Sequence, residues 1–404
     1  MNKSSKHFMD LEHNYGAHNY HPIPVVLSRG EGIYVWDVEG KRYMDFLAAY
    51  SAVNQGHCHP RLVKKMKDQC EKLTLTSRAY YNDQLGLWEK YTAELLGYDK
   101  MLPMNSGAEA DETAIKLMRK WAYQVKGVPE GQAKIIVCNG NFHGRTITIV
   151  SMSSDPSAYA GYGPYTPGFI KIPYNDMETL EEVIQDPDVA GVLVEPIQAE
   201  AGVYVPDDGF LQKTAALCKK HHCLLVADEV QTGLGRTGKM LACDHEGVRP
   251  DILVLGKAIS GGMLPVSCVL ADDEVMLTIK PGEHGSTYGG NPLASVVAME
   301  ALEILQDEKL IENSERLGKI FREEMLKIDS KYIIEVRGKG LLNAIEIDSK
   351  APKSAWDLCL ELKDKGILAK PTHDYNIRFT PPLVITESQL REALIPIKEV
   401  LSNI

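Results

Sequence analysis

The chain has 404 residues, 44% hydrophobic and 25% charged, which is ordinary for a soluble globular protein of roughly two or three domains. Its net charge of −11 argues against nucleic acid as a partner. No uninterrupted apolar stretch approaches the ~20 residues needed to span a bilayer.

Met1–Asp10 has neither an apolar core nor an Arg-rich amphipathic pattern, so the expectation is a cytoplasmic protein without a targeting segment. Cysteines at 58, 70, 138, 218, 223, 243, 268 and 359 form no C-x-x-C pair, and several lie in apolar runs. That favours a reducing compartment and core packing over disulfides.

After an irregular Tyr15–Pro24 stretch, Ile33–Trp36 and Lys41–Asp45 read as a hairpin joined through Asp37-Val38-Glu39-Gly40. The sequence His57-Cys58-His59 lacks a second ligand cluster, so no metal is expected. A helix is predicted over about 108–126. Strands follow near 134–138, 146–152, 169–173, 190–195, 223–228, 252–256 and 266–271, several separated by helices near 178–185 and 209–221. Such alternation implies an α/β fold with a mostly parallel sheet covered by helices on both faces.

Beyond Gly289-Gly290-Asn291-Pro292 the texture changes. A helical tract runs to about 329 with a break near 307, then apolar runs at 333–336 and 341–347. Helices near 354–365 and 387–402 flank 377–380. The expected division is an N-terminal segment, 1–45, belonging to a small α+β domain; a large domain, 46–290; and the rest of the small domain, 291–404.

Two features carry chemistry. The apolar run from Cys223 ends in Asp228-Glu229, and a second, from Asp251, ends at Gly256-Lys257. α/β sheets place their chemistry at the carboxyl edge, where a desolvated lysine can condense with a carbonyl and a carboxylate can hold a pyridinium nitrogen protonated. Singly, each residue reads as a strand end or a turn cap; as a pair they point to pyridoxal 5'-phosphate (PLP). Asn105-Ser106-Gly107-Ala108 opens the 108–126 helix, where free amides form an anion site or Asn105 or Ser106 simply caps.

Gly233-Leu234-Gly235-Arg236-Thr237-Gly238 matches a dinucleotide fingerprint literally. No convincing helix opens from it, and Ala258 stands about 20 residues on, where an acid is wanted. Phe142-His143-Gly144-Arg145-Thr146 suits a planar ring and a carboxylate, and reads equally as an exposed loop. Glu283–Leu293, rich in glycine and hydroxyls, is either a phosphate loop or a linker.

Together these segments resemble the class III, fold type I PLP-dependent aminotransferases, and within them the ornithine aminotransferases. The stretches 15–22, 51–60, 226–238, 279–293 and 336–346 are the most specific. The resemblance implies that Lys257 carries PLP and shuttles protons, while Asp228 pairs with the pyridinium nitrogen. It puts Gln231 near the ring hydroxyl, Phe142 stacked on the ring, and Gly107 and Ala108 on the phosphate. Ser286 and Thr287 would reach that phosphate from the other subunit of a homodimer. Tyr20 and Tyr50 would contact ornithine, and Arg145 would hold its α-carboxylate. Arg378 would take the α-carboxylate of glutamate or 2-oxoglutarate, with Glu200 neutralising Arg378 when ornithine reacts.

Two positions depart from the family pattern. Ala199 stands where glycine is usual, so a positive φ there would strain the loop carrying Glu200. His143 replaces an aromatic, and Phe-His-Gly-Arg-Thr also occurs in acetylornithine aminotransferases. N-Acetylornithine is therefore the nearest rival substrate, 4-aminobutyrate the next, and a non-catalytic PLP-fold binding module the alternative of a different class.

Overall fold

Three sheets organise the described residues, 4–404, of the computed structural model. The first three residues of the Met1–Asp10 stretch lie outside that range. The N-terminal sheet begins with β1 (Leu27–Glu31), β2 (Tyr34–Asp37) and β3 (Arg42–Asp45), all antiparallel. Asp37 shapes the β2–β3 turn, its Oδ1 accepting from the amides of Glu39 (3.1 Å) and Lys41 (2.8 Å). A helix over Ser5–Tyr15 precedes this sheet and buries none of its residues.

The large sheet comprises β4 (Lys100–Met104), β5 (Lys134–Cys138), β6 (Phe169–Ile172), β7 (Val189–Val194), β8 (Leu224–Asp228), β9 (Ile252–Leu255) and β10 (Ser267–Ala271), in the order β4-β10-β9-β8-β7-β5-β6. From β9 to β6 all neighbours are parallel, whereas β10 runs antiparallel to both β9 and β4. Every residue of β7, β8, β9 and β10 is buried, as a sheet covered on both faces requires. Each such Val, Leu or Ile contributes roughly 1.5–3 kcal/mol on burial.

The third sheet joins β11 (Ile333–Lys339), β12 (Leu342–Ile347), β14 (Lys370–Thr372) and β15 (Asn376–Phe379). Between them in the chain, β13 (Ile367–Leu368) pairs in parallel with β3, so the N-terminal hairpin shares a sheet with a C-terminal strand.

The fold corrects the sequence reading in several places. The stretch expected as a strand over 146–152 is a helix, Ile147–Met152. Its β-branched residues suggest a strand, but Ile149 and Met152, three apart, both pack beneath the helix Gly107–Trp121. The strand β4 goes unrecognised because Pro103 interrupts it, which is tolerable on a sheet edge. Short β1, β13 and β14 carry too little pattern to stand out. The predicted helix over 108–126 is α-helical only to Trp121 and closes as a π turn, Ala122–Lys126.

Candidate active site

The carboxyl ends of five strands of the large sheet converge on one cavity of about 160 Å³. β4 leads into Gly107, Ala108 and Asp111; β5 into Phe142, His143 and Gly144; β7 into Glu195; β8 ends at Asp228 and continues through Gln231; β9 leads to Lys257. Asp228 and Lys257 therefore do share a cavity. Strand alternation separates the neighbouring acids: Glu229 turns away to accept from the amide of Cys243 at 2.8 Å.

At the end of β4, Ser106 and Glu109 form a capping box, Ser106 Oγ accepting from the Glu109 amide at 3.2 Å. Capping and anion binding coexist, because the amides of Gly107 and Ala108 keep no acceptor among the described residues. The loop after β5 is drawn against this helix start. Gly144 has φ +126, and a Cβ there would lie 2.6 Å from that of Ala108. Phe142 lines the cavity with its amide donating to Glu195 Oε1 (2.8 Å), and exposed Arg145 holds its guanidinium carbon 5.3 Å from the Phe142 ring centre.

His143, read from sequence only as a specificity difference, is buried and bonded through Nδ1 to Asp228 Oδ2 at 2.7 Å. Asp228 Oδ1 accepts from the Val230 amide at 2.9 Å. Both carboxylate oxygens of Asp228 are thus fixed, which orients the group towards the cavity. Burial works to lower the His143 pKa, but its hydrogen bond to Asp228 and that group's charge carry it above the usual value.

Two further acids went unremarked in sequence. Glu195 follows the end of β7, the same signal that marks Asp228, and burial pushes its pKa up to about 8. Asp111, one helical turn past Gly107, is raised well above the carboxylate range by burial and by the charge of Asp228. Asp111, His143 and Asp228 are close enough to hold a metal, but the imidazole already serves Asp228. Desolvation lowers the Lys257 amine below the ordinary lysine range, opposed in part by Asp228 and Glu200. A lowered lysine is a better nucleophile at neutral pH.

Beside the cavity, Arg378 on β15 is 1% exposed. Its NH1 donates to Gln231 Oε1 (2.9 Å), Glu200 Oε2 (3.0 Å) and Ala199 O (3.3 Å), while Nε and NH2 are buried without partners among the described residues. Gln231 lines the cavity and bonds to Arg378 at once. Tyr50 lies under the guanidinium at 4.9 Å, with Lys370 Nζ 5.8 Å from the same ring. Burial opposes ionisation of Glu200, yet Arg378 outweighs it and holds the carboxylate below its usual pKa. Ala199 opens a short helical turn, Ala199–Gly202, and is not a positive-φ residue. The strain expected of an alanine there is absent, and the positive φ falls on Gly202 and Val203 instead.

Three sequence candidates lie elsewhere in this chain. Tyr20 is 74% exposed and lines a separate cavity with the N-terminal helix. Ser286 accepts from Asn105 Nδ2 at 2.8 Å, two residues before Gly107, and exposed Thr287 follows it. No helix opens from Gly233–Gly238; Arg236 there is buried, donating to the carbonyls of Leu341 and Pro381.

A lysine, a fixed carboxylate, an aromatic ring and uncapped helix amides, gathered at the carboxyl edge of such a sheet, define a fold type I PLP-dependent transferase. The chain belongs to the class-III aminotransferases, whose family model matches residues 15–401. It is 58% identical over 391 residues to rat mitochondrial ornithine aminotransferase, covering 97% of this chain and 89% of the relative. An ornithine aminotransferase structure from Toxoplasma gondii, described with partial PLP occupancy at its active site, superposes with a TM-score of 0.98 at 50% identity, over 99% of this chain and 94% of that one. An acetylornithine aminotransferase structure from Elizabethkingia anophelis gives 0.91 at 57% identity, over all of both chains.

Proposed function

We propose that this aminotransferase moves the δ-amino group of L-ornithine to 2-oxoglutarate, giving glutamate 5-semialdehyde and glutamate by ping-pong kinetics. The semialdehyde then cyclises spontaneously to pyrroline-5-carboxylate. The observation that supports the reading is the counter-ion on Arg378: a buried guanidinium paired with Glu200, whose side chain is 34% exposed, and whose Nε and NH2 have no partner among the described residues.

PLP, when bound, supplies an electron sink for the carbon bearing the transferred amine. The residues fit it. The free amides of Gly107 and Ala108 suit its phosphate, Phe142 its ring face, Asp228 its ring nitrogen, and Gln231 its hydroxyl. His143 keeps Asp228 aimed through their hydrogen bond. Lys257 would bind the cofactor carbonyl and, once released, would take up the proton from the substrate carbon that bears the transferred amine.

Glutamate must present its α-amine, so its α-carboxylate needs Arg378. Ornithine presents its δ-amine and leaves Arg378 without a substrate anion, so Glu200 stays there while Arg145 holds the distant carboxylate beside Tyr50. Exchanging one ion pair for another keeps the buried charge compensated, whereas an unpaired partner costs about 3–5 kcal/mol.

A homodimer belongs to the same reading, with Ser286 and Thr287 offered to the neighbouring phosphate and Tyr20 brought towards substrate. So does a cytoplasmic setting in proline and arginine metabolism. No helix among the described residues is long and apolar enough to cross a membrane.

The test incubates purified protein with 2-oxoglutarate and, in parallel, ornithine, N-acetylornithine or 4-aminobutyrate, measuring glutamate. Ornithine should give the highest kcat/KM. His143 and the likeness to the Elizabethkingia enzyme favour acetylornithine as the second reading, and a clear preference for it would replace the first.

A further inference from the structure

We propose that Arg337, on β11, is a positioning residue that clamps the loop carrying Glu200 and so sets how well Glu200 covers Arg378. The inference rests on the gating role given to Glu200 above.

The turn Ala199–Gly202 is a single helical turn, too short to hold its own shape. Its anchors come from outside. Gln198 and Tyr204 exchange backbone hydrogen bonds of 3.1 and 3.0 Å, closing the loop at its base. At its carboxyl end, where helical carbonyls lack internal partners, Arg337 Nε donates to Gly202 O at 3.0 Å. The same guanidinium lies 4.3 Å from the centre of the Tyr204 ring.

Arg337 is itself fixed. It is 7% exposed, NH1 meets Glu335 Oε2 at 2.7 Å and also Glu346, and NH2 meets Asn376 Oδ1. Asn376 stands two residues before Arg378 on β15, so one strand carries both the cation and a support of the clamp. The fit explains Gly202: at φ +140 a Cβ would come within 3.1 Å of Asn376 Cγ and 3.2 Å of Arg337 Nη2. With the loop clamped, only the Glu200 side chain needs to move between half-reactions. Without the clamp, the carboxylate spends less time on Arg378, which burdens the ornithine half-reaction alone.

The experiment compares Arg337→Met and Arg337→Lys with the parent enzyme. Single-turnover half-reactions with ornithine and with glutamate are measured on the PLP-loaded protein, and hydrogen exchange of 198–205 on the apoenzyme. Loss of a charge-assisted hydrogen bond predicts about a tenfold lower ornithine rate constant over Kd in Arg337→Met, with glutamate within about twofold. Exchange in 198–205 should rise while 134–138 stays protected. Arg337→Lys, which keeps a donor and a cation over Tyr204, should recover much of the loss and serves as the comparison if Met does not fold.

In a Glu200→Gln background Arg337→Met should add nothing further. Equal losses in both half-reactions, or unchanged exchange, overturn the clamp. If Glu200→Gln itself leaves the ratio of half-reactions unchanged, the gate fails instead; if that ratio shifts but Arg337→Met does not shift it, the clamp alone fails.

Discussion

Replacing Glu200 by alanine tests the logic of one site serving two substrate ends. The carboxylate sits 3.0 Å from Arg378 NH1, with the arginine side chain 1% and the glutamate 34% exposed. Breaking a fully buried pair costs about 3–5 kcal/mol and an exposed one about 0.2–1, so a partner one-third exposed places this pair near 1–3 kcal/mol. The carbonyl of Ala199 and Gln231 Oε1 would remain on NH1, and nothing on Nε or NH2.

With ornithine bound, that deficit falls on the reacting complex and slows the half-reaction by roughly 5- to 160-fold, at about 1.36 kcal/mol per decade. With glutamate bound, the substrate carboxylate replaces the missing anion and no counter-ion has to be displaced. That half-reaction should hold steady or improve slightly. Rapid-mixing single turnovers with each amino donor, followed through the cofactor absorbance, measure the two rates separately. Equal losses on both sides would refute the masking argument and reduce Glu200 to a structural acid.

Lys257→Ala should abolish transamination, and the visible absorption band of the parent enzyme, lost on borohydride treatment, should be missing; a colourless parent would favour the binding-module alternative. Arg378→Lys keeps the charge but gives up the planar fork, so the glutamate half-reaction should weaken about 10- to 100-fold while ornithine suffers less, read as separate Kd values. In the apoenzyme the raised pKa of His143 makes its pairing with Asp228 fully stabilising below pH 6.5 and progressively lost as pH rises through the folded value. Glu195, pushed up to about 8, adds a fall in the same direction from about its ordinary 4.5. Urea midpoints should therefore begin to decline above about pH 4.5 and fall more steeply above 6.5, and His143→Gln should flatten the steeper part without removing the portion due to Glu195. An unchanged slope would count against a charged imidazole.

What the sequence determined by itself follows short-range rules. Apolar runs ending in Asp228 and Lys257 announced two strand ends, and the cap at Ser106 announced a helix start, because period, capping and strand-edge chemistry are written in neighbouring residues. Glu200 and Arg378 were named through the family resemblance, with no local pattern to mark them, while Phe142 and Arg145 stood in a stretch that reads equally as an exposed loop. Folding decided the remainder. The stretch 147–152 became a helix because the surface it covers lies under residues far away in sequence.

Likewise Asp111 and Glu195 acquire their raised pKa values only when strand ends crowd them out of water, and His143 acquires its own only where β8 delivers the Asp228 carboxylate. Gln231 gained a bond to Arg378, and the open nitrogens of that arginine have meaning only because β15 delivers a buried guanidinium beside a cavity built by another sheet. Desolvation and charge pairing depend on distances across the fold, and a linear order of residues does not contain those distances.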